Sequence, residues 1–213
     1  RYGYRLERLI DRLGNFRASC YLVDSEEYLD RQSMLYIPVV NTEKIRPRDN
    51  EKKRDFIYLA RNYGNKRHDI ILNAVRGKNM TGHFHPVDAG KLDLKDTHIT
   101  TSDWNEADVV ELLATSRIAV YPGDYTSNPA AMWECVAAGL PIVVNKNIKG
   151  GKHLVVPGVT GEFASEDTFY EVIQEVLANR ARYRPREYFM ENWDTVRTLE
   201  KYLAFFNEMG WRA

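Results

Sequence analysis

Short apolar runs alternate with stretches of helical period over most of this chain, and that alternation restricts it to a parallel sheet with helical crossovers. Residues 56–60 read as a buried strand, and after Lys66 the residues Ile70, Ile71, Ala74 and Val75 make one helical stripe. A turn-rich piece, 78–95, carries no regular period, and a short strand is expected at 97–100. Asn105 is placed to cap a helix with Asp108 as its third residue, a capping box with Asp for the usual Glu; Ala107, Val110, Leu113 and Ala114 would face inward. A strand at 117–121, a helix at 129–138 closed by Gly139, and a strand at 140–144 follow. Phe169, Val172, Ile173, Val176 and Leu177 hold a helical period, as do Val196, Leu199, Leu203 and Phe206 near the end. The fold class is therefore α/β, a doubly wound parallel sheet. The first fifty residues differ: 20–23 and 35–39 look like strands without a complete fold around them, and the charged stretch 46–54 reads as a linker.

Charge narrows the partners. Lys and Arg number 30 and Asp and Glu also number 30 in 213 residues, so no net field favours nucleic acid, and any anionic ligand must be met locally. Cys20 and Cys135 are far apart and lack C-x-x-C spacing, which gives no zinc or disulfide framework and fits a reducing, cytoplasmic compartment. No apolar run approaches the roughly 20 residues a bilayer span requires. The chain starts at Arg1 rather than Met, so a fragment or processed chain is expected.

The most informative segment is 121–144. A strand runs out into the loop Pro122-Gly123-Asp124-Tyr125-Thr126-Ser127-Asn128, and a helix follows with Asn128 as N-cap and Pro129 at its first position. Free backbone N–H groups and the helix dipole there favour a phosphate at the carboxyl edge of the sheet. An ordinary capped helix with no ligand would read the same way. Helical spacing puts Ala130, Ala131, Ala137 and Ala138 on one side with Glu134. A carboxylate in such a small-residue face needs donors, which ribose hydroxyls can supply and which a structural salt bridge would supply equally well. In the other cluster, Arg61 leaves a strand end and Lys66 opens a helix five positions later, so both can converge on one diphosphate. Solvated surface charges in a connecting loop are the alternative.

Four pieces stand in order: Ile37-Pro-Val-Val-Asn-Thr-Glu-Lys-Ile-Arg-Pro; Leu59-Ala-Arg ahead of Lys66; Trp133-Glu-Cys-Val-Ala-Ala-Gly-Leu-Pro-Ile-Val-Val; and Gly158-Val-Thr-Gly. Their order and spacing resemble the C-terminal half of family 4 (group 1) GT-B glycosyltransferases, over about the whole chain. The resemblance implies a Rossmann-like nucleotide-sugar-binding domain at 46–213 with a C-terminal crossing helix, and a remnant of the acceptor domain with linker at 1–45. By that resemblance Arg61 and Lys66 hold the donor diphosphate, Glu134 binds the ribose, and Asp124, Thr126, Ser127, Asn128, Ala130 and Ala131 approach phosphates and sugar. The stretch before Asn105 would lie near the base. The reaction implied is retaining transfer from a nucleotide-diphosphate sugar to a glycan, lipid-linked or small-molecule acceptor. It requires no obligatory metal or other cofactor, and its partner is the N-terminal GT-B domain of a parent chain, through which any peripheral contact with a membrane would run.

One position departs from the family. The first Glu of its paired-glutamate motif stands eight positions before the second, and here Thr126 holds that place. This implies a different sugar, a polar contact taken over by Asp124 or Asn128, or a weakened activity. Two rival readings follow: a catalytically impaired nucleotide-sugar-binding or partner module, and another GT-B-fold enzyme such as a nucleotide-sugar epimerase. His83 and His85 lack a third metal ligand at a suitable spacing and are expected in a solvated loop. Gly150-Gly151-Lys152 is no Walker A loop, and the resemblance puts it near the donor sugar. Tyr202, Phe205, Phe206 and Trp211 are expected in core or interdomain packing.

Overall fold

The computed structural model describes residues 21–23, 33–35, 37–104, 108–125 and 130–208. Eight strands are found among them: β1 (Tyr21–Val23), β2 (Ser33–Leu35), β3 (Arg54–Leu59), β4 (Thr81–His85), β5 (His98–Thr101), β6 (Ser116–Tyr121), β7 (Ile142–Asn145) and β8 (Gly161–Ala164). The helices are α1 (His68–Val75), α2 (Val109–Ala114), α3 (Ala130–Ala137), α4 (Phe169–Ala178), α5 (Pro185–Asn192) and α6 (Thr195–Glu208). Strands β3 to β8 form one all-parallel sheet in the order β5-β4-β3-β6-β7-β8, and β1 pairs with β2 in a separate parallel pair. The six-stranded order is that of the Rossmann fold.

Burial on both faces explains why the central strands were readable. Phe56, Ile57, Ile118, Ala119, Val120, Ile142, Val143 and Val144 are all fully enclosed, which demands the continuous apolar runs seen in the sequence. Strand β4 is different. It crosses the stretch expected to be turns, because Thr-Gly-His-Phe-His has no apolar run to announce it. Its histidines are not in a solvated loop: both are buried, and hydroxyls meet both ring nitrogens of His83 and one of His85, whose Nε2 has no hydrogen-bond partner among the described residues. His83 Nδ1 lies 2.7 Å from Thr100 Oγ1 and its Nε2 2.8 Å from Ser102 Oγ, while His85 Nδ1 reaches the same Ser102 Oγ at 2.9 Å.

Several boundaries move for local reasons. Asp108 itself is the N-cap of α2, its Oδ1 accepting from Val110 N at 2.9 Å; Asn105 and Ala107 lie outside the described residues. The second N-terminal strand is Ser33–Leu35 rather than 35–39, and Cys20 lies outside the described residues. Residues 46–53 are irregular as expected, but Arg54 already belongs to β3. Strand β8 and helix α5 were not anticipated. In α5 the guanidinium of Arg186 donates to Ala137 O at 2.7 Å, to Ile45 O at 2.9 Å and to Thr42 O at 3.2 Å, so it closes the carboxyl end of α3 and fixes the approach to β3. At the end of the chain Tyr202 Oη receives Ile37 N at 2.6 Å and donates to Ile37 O at 3.1 Å, which ties α6 to the segment preceding β3. Val196, Leu199 and Leu203 of α6 stay exposed, and Trp211 lies outside the described residues.

Candidate functional site

Crossovers leave β3 and β6 in opposite directions, so the loops after these neighbouring strands part and open a cleft at the carboxyl edge of the sheet. A pocket of about 210 Å³ occupies it. Leu59 and Ala60 bound it from the end of β3, Tyr121 and Gly123 from the end of β6, and Ala130 and Ala131 from the first turn of α3. Lys66 and Tyr125 complete the opening. Gly123 is required by a close approach: a Cβ there would stand 2.9 Å from Asn65 O, and the neighbouring Asp124 N donates to that oxygen at 3.1 Å. The loop after β6 is thus sewn to the short 3-10 turn Gly64–Lys66.

Lys66 sits at the end of that turn, half-buried, two residues before α1. Tyr58 Oη donates to Lys66 O at 2.6 Å, anchoring the turn to the strand beneath it. The Lys66 ammonium makes one long contact, to Tyr125 O at 3.4 Å, and no ion pair to any described residue. Burial lowers its pKa below the ordinary lysine range, the expected response of a cation without a counter-charge. Arg61 is exposed at the end of β3. Its guanidinium lies over the ring of Trp104, 5.1 Å from the centroid, with Nη1 3.4 Å from Tyr63 Oη. It too has no carboxylate partner among the described residues. Trp104 in turn meets His85 edge to face at 5.8 Å, which connects Arg61 to the buried histidine pair of β4.

Glu134 lies one turn into α3 beyond Ala130 and is half-buried. It makes no hydrogen bond or ion pair with a described residue, so the structural salt bridge that its position allowed is not formed among them. Burial raises its carboxyl pKa above the ordinary range, and Lys44 pulls in the other direction. Asp124 is committed elsewhere. Its carboxylate receives Arg67 Nη1 at 3.3 Å and Asn145 Nδ2 at 3.4 Å, so a ligand contact from Asp124 would compete with an ion pair. Thr126, Ser127, Asn128 and Pro129 lie outside the described residues. No group of three side chains able to hold a metal occurs among the described residues.

Arg67 was not singled out from the sequence. It adopts a left-handed conformation, φ 49° and ψ 49°, where Gly or Asn would have been the recognisable signal. Its guanidinium reaches Asp69 at 2.9 Å, Glu166 at 2.9 Å and Asp124 at 3.3 Å.

A cleft at a topological switch point, with the Lys66 ammonium on one wall and the first turn of α3 on the other, belongs to a doubly wound α/β domain. The family model described as Glycosyl transferases group 1 matches residues 40–193, and the chain belongs to that family. No curated protein matches the sequence. Among solved structures, the lipopolysaccharide outer core galactosyltransferase WaaB in its apo form aligns with a TM-score of 0.67 at 16% identity, over 90% of this chain and 61% of that one. Anabaena Alr3699/HepE, in complex with UDP and glucose, gives 0.72 at 14% identity, over 93% and 65%. The C-terminal domain of the group 1 family protein LpcC from Francisella tularensis gives 0.58 at 14% identity, over 73% of this chain and 99% of that domain. At such identities these similarities establish the fold, that of GT-B glycosyltransferases. The chain spans 61%, 43% and 65% of the first three structures it resembles. No helix among the described residues is long and apolar enough to cross a membrane.

Proposed function

We propose that this chain is the donor-binding, C-terminal half of a retaining GT-B glycosyltransferase of family 4, holding a nucleotide-diphosphate sugar for transfer to a glycan, lipid-linked or small-molecule acceptor. The observation that carries the reading is Lys66: a half-buried ammonium without an ion pair among the described residues, at the pocket where β3 and β6 diverge. A diphosphate supplies the missing counter-charge. Arg61 stands at the same sheet edge, and together the two cations would neutralise the leaving diphosphate as charge develops in the transition state, so that no obligatory metal is needed. The first turn of α3, at Ala130 and Ala131, would add backbone N–H groups and the positive end of its dipole. Glu134 would accept the ribose hydroxyls, an arrangement supported by its lack of a hydrogen bond or ion pair with any described residue. The base would lie toward Trp104, and 1–45 would lead from the acceptor half of a parent chain in the cytoplasm.

A thermal-shift screen of UDP, GDP, ADP and TDP against their nucleosides tests the reading, since a ligand of the folded state raises its stability by mass action. UDP comes first because the HepE structure is a complex with UDP and glucose. One diphosphate should stabilise the protein well beyond its nucleoside; no stabilisation by any of the four would contradict the proposal. Thr126, where the family has glutamate, favours one second reading, a donor-binding module with impaired catalysis. Transfer and donor-hydrolysis assays on the parent chain separate the two.

A further inference from the structure

Lys66 and Asp124 approach the same loop, yet they are not paired. Lys66 Nζ touches the carbonyl of Tyr125, the residue next to Asp124. Asp124 N is itself bonded to Asn65 O, one residue before Lys66. A free carboxylate so placed would be a natural partner for the half-buried ammonium, and a phosphate would then have to displace it. Arg67 engages that carboxylate instead. Its Nη1 holds Asp124 at 3.3 Å, and the rest of its fork is spent on Asp69, with Nη2 2.9 Å from Oδ2, and on Glu166, with Nη2 2.9 Å from Oε1. With its backbone left-handed at φ 49°, the side chain of Arg67 reaches the first turn of α1, the loop after β6 and the segment after β8. An Arg in that conformation costs backbone energy that Gly would not, which argues that the side chain's contacts outweigh the strain.

We infer that Arg67 is a positioning residue that sequesters the Asp124 carboxylate and thereby leaves the Lys66 ammonium available for the ligand's phosphates. The inference rests on the phosphate-binding reading of the cleft. Two adjacent cations have divided roles: Lys66 carries no ion pair among the described residues and meets the ligand, while Arg67 carries three carboxylates and does not. Arg67 also ties the first turn of α1, the loop after β6 and the segment after β8 to one another.

Calorimetric titration of the full 213-residue chain with inorganic pyrophosphate, which removes dependence on the base, tests this. Arg67→Gly accepts the left-handed backbone without strain and removes the fork; Arg67→Asn, which also tolerates that conformation, guards against a folding defect peculiar to the glycine. Both should weaken pyrophosphate binding by roughly two- to thirtyfold, the range for residues acting through a neighbour. The added change Asp124→Asn should restore most of the affinity lost in Arg67→Gly, because no carboxylate then remains at that position to capture Lys66. Arg67 variants that melt earlier but bind pyrophosphate as tightly as wild type would overturn the inference and leave Arg67 a structural tie. A double variant no better than Arg67→Gly would overturn it as well. Lys66→Ala distinguishes the two levels of failure: if it loses affinity while the Arg67 variants do not, the phosphate reading stands alone, and if it binds like wild type both fall.

Discussion

Acid should destabilise this domain through His68, the first residue of α1, which packs on the pocket-lining Tyr58. The ring is buried between Tyr58, at 4.8 Å between centroids, and Phe84, at 5.1 Å. Neither ring nitrogen has a bonded partner, although the Ala60 backbone offsets a little of the cost of burial. Desolvation therefore holds the imidazole neutral and lowers its pKa from 6.5 to about 4. The sign follows directly. Between those values the unfolded chain binds a proton that the folded protein refuses, so stability falls as pH drops below 6.5 and the loss is complete below about 4. At 1.36 kcal/mol per unit, the shift is worth about 3 kcal/mol, most of it lost by pH 4. Tyr58, whose hydroxyl holds the Lys66 turn, packs on that ring, so local loosening would reach the cleft early. Urea unfolding at pH 7.5 and pH 4 for wild type and His68→Phe gives the quantity needed, the difference between two pH-induced losses. His83, whose pKa burial also lowers to about 4, titrates in both proteins and cancels. Wild type should lose about 3 kcal/mol more than the variant. Parallel losses in the two proteins would refute the assignment of the acid sensitivity to His68.

Glu134→Gln should weaken nucleoside-diphosphate binding, and the variant should no longer distinguish a nucleotide from its 2′,3′-dideoxy analogue in competition titrations; unchanged affinity would return Glu134 to a structural role. Gly161→Ala should destabilise the fold by about 1 to 3 kcal/mol in chemical denaturation, because a Cβ there would meet the Ile142 carbonyl oxygen at 1.9 Å and both strands must shift. The 213-residue chain alone should show no sugar transfer in a labelled-donor assay that the parent chain passes, since orienting two substrates accounts for about 7 to 11 kcal/mol of such barriers in favourable cases. Transfer by the isolated chain at the parent's rate would place the acceptor site within these residues.

Legibility in the sequence followed burial. Strands β3, β6 and β7 are enclosed on both faces, so their apolar runs were plain, and Gly139, at φ +81°, marked the end of α3. Strand β4 was hidden because its buried histidines bond to Thr100 and Ser102, partners that only the tertiary fold brings across from β5 and the residue after it. Helix α5 was hidden for a different reason: it buries only Pro185 and Phe189, too little to set a period. Of the candidate site, Arg61, Lys66, Ala130 and Ala131 could be placed at the carboxyl edge from the order of elements. Arg67 could not, because its role depends on a left-handed backbone at a residue type that does not advertise one.

Arg61 and Lys66, which have no carboxylate partner among the described residues, are proposed to receive a diphosphate. Isothermal titration of wild type, Arg61→Ala and Lys66→Ala with the nucleoside diphosphate chosen by the thermal-shift screen, and with the corresponding nucleoside, tests it most directly. Each substitution should cost about 1.5 to 3 kcal/mol for the diphosphate, the range for hydrogen bonds to charged groups, and should leave nucleoside binding almost unchanged. An equal loss for nucleoside and diphosphate, or no loss for either, would contradict the account.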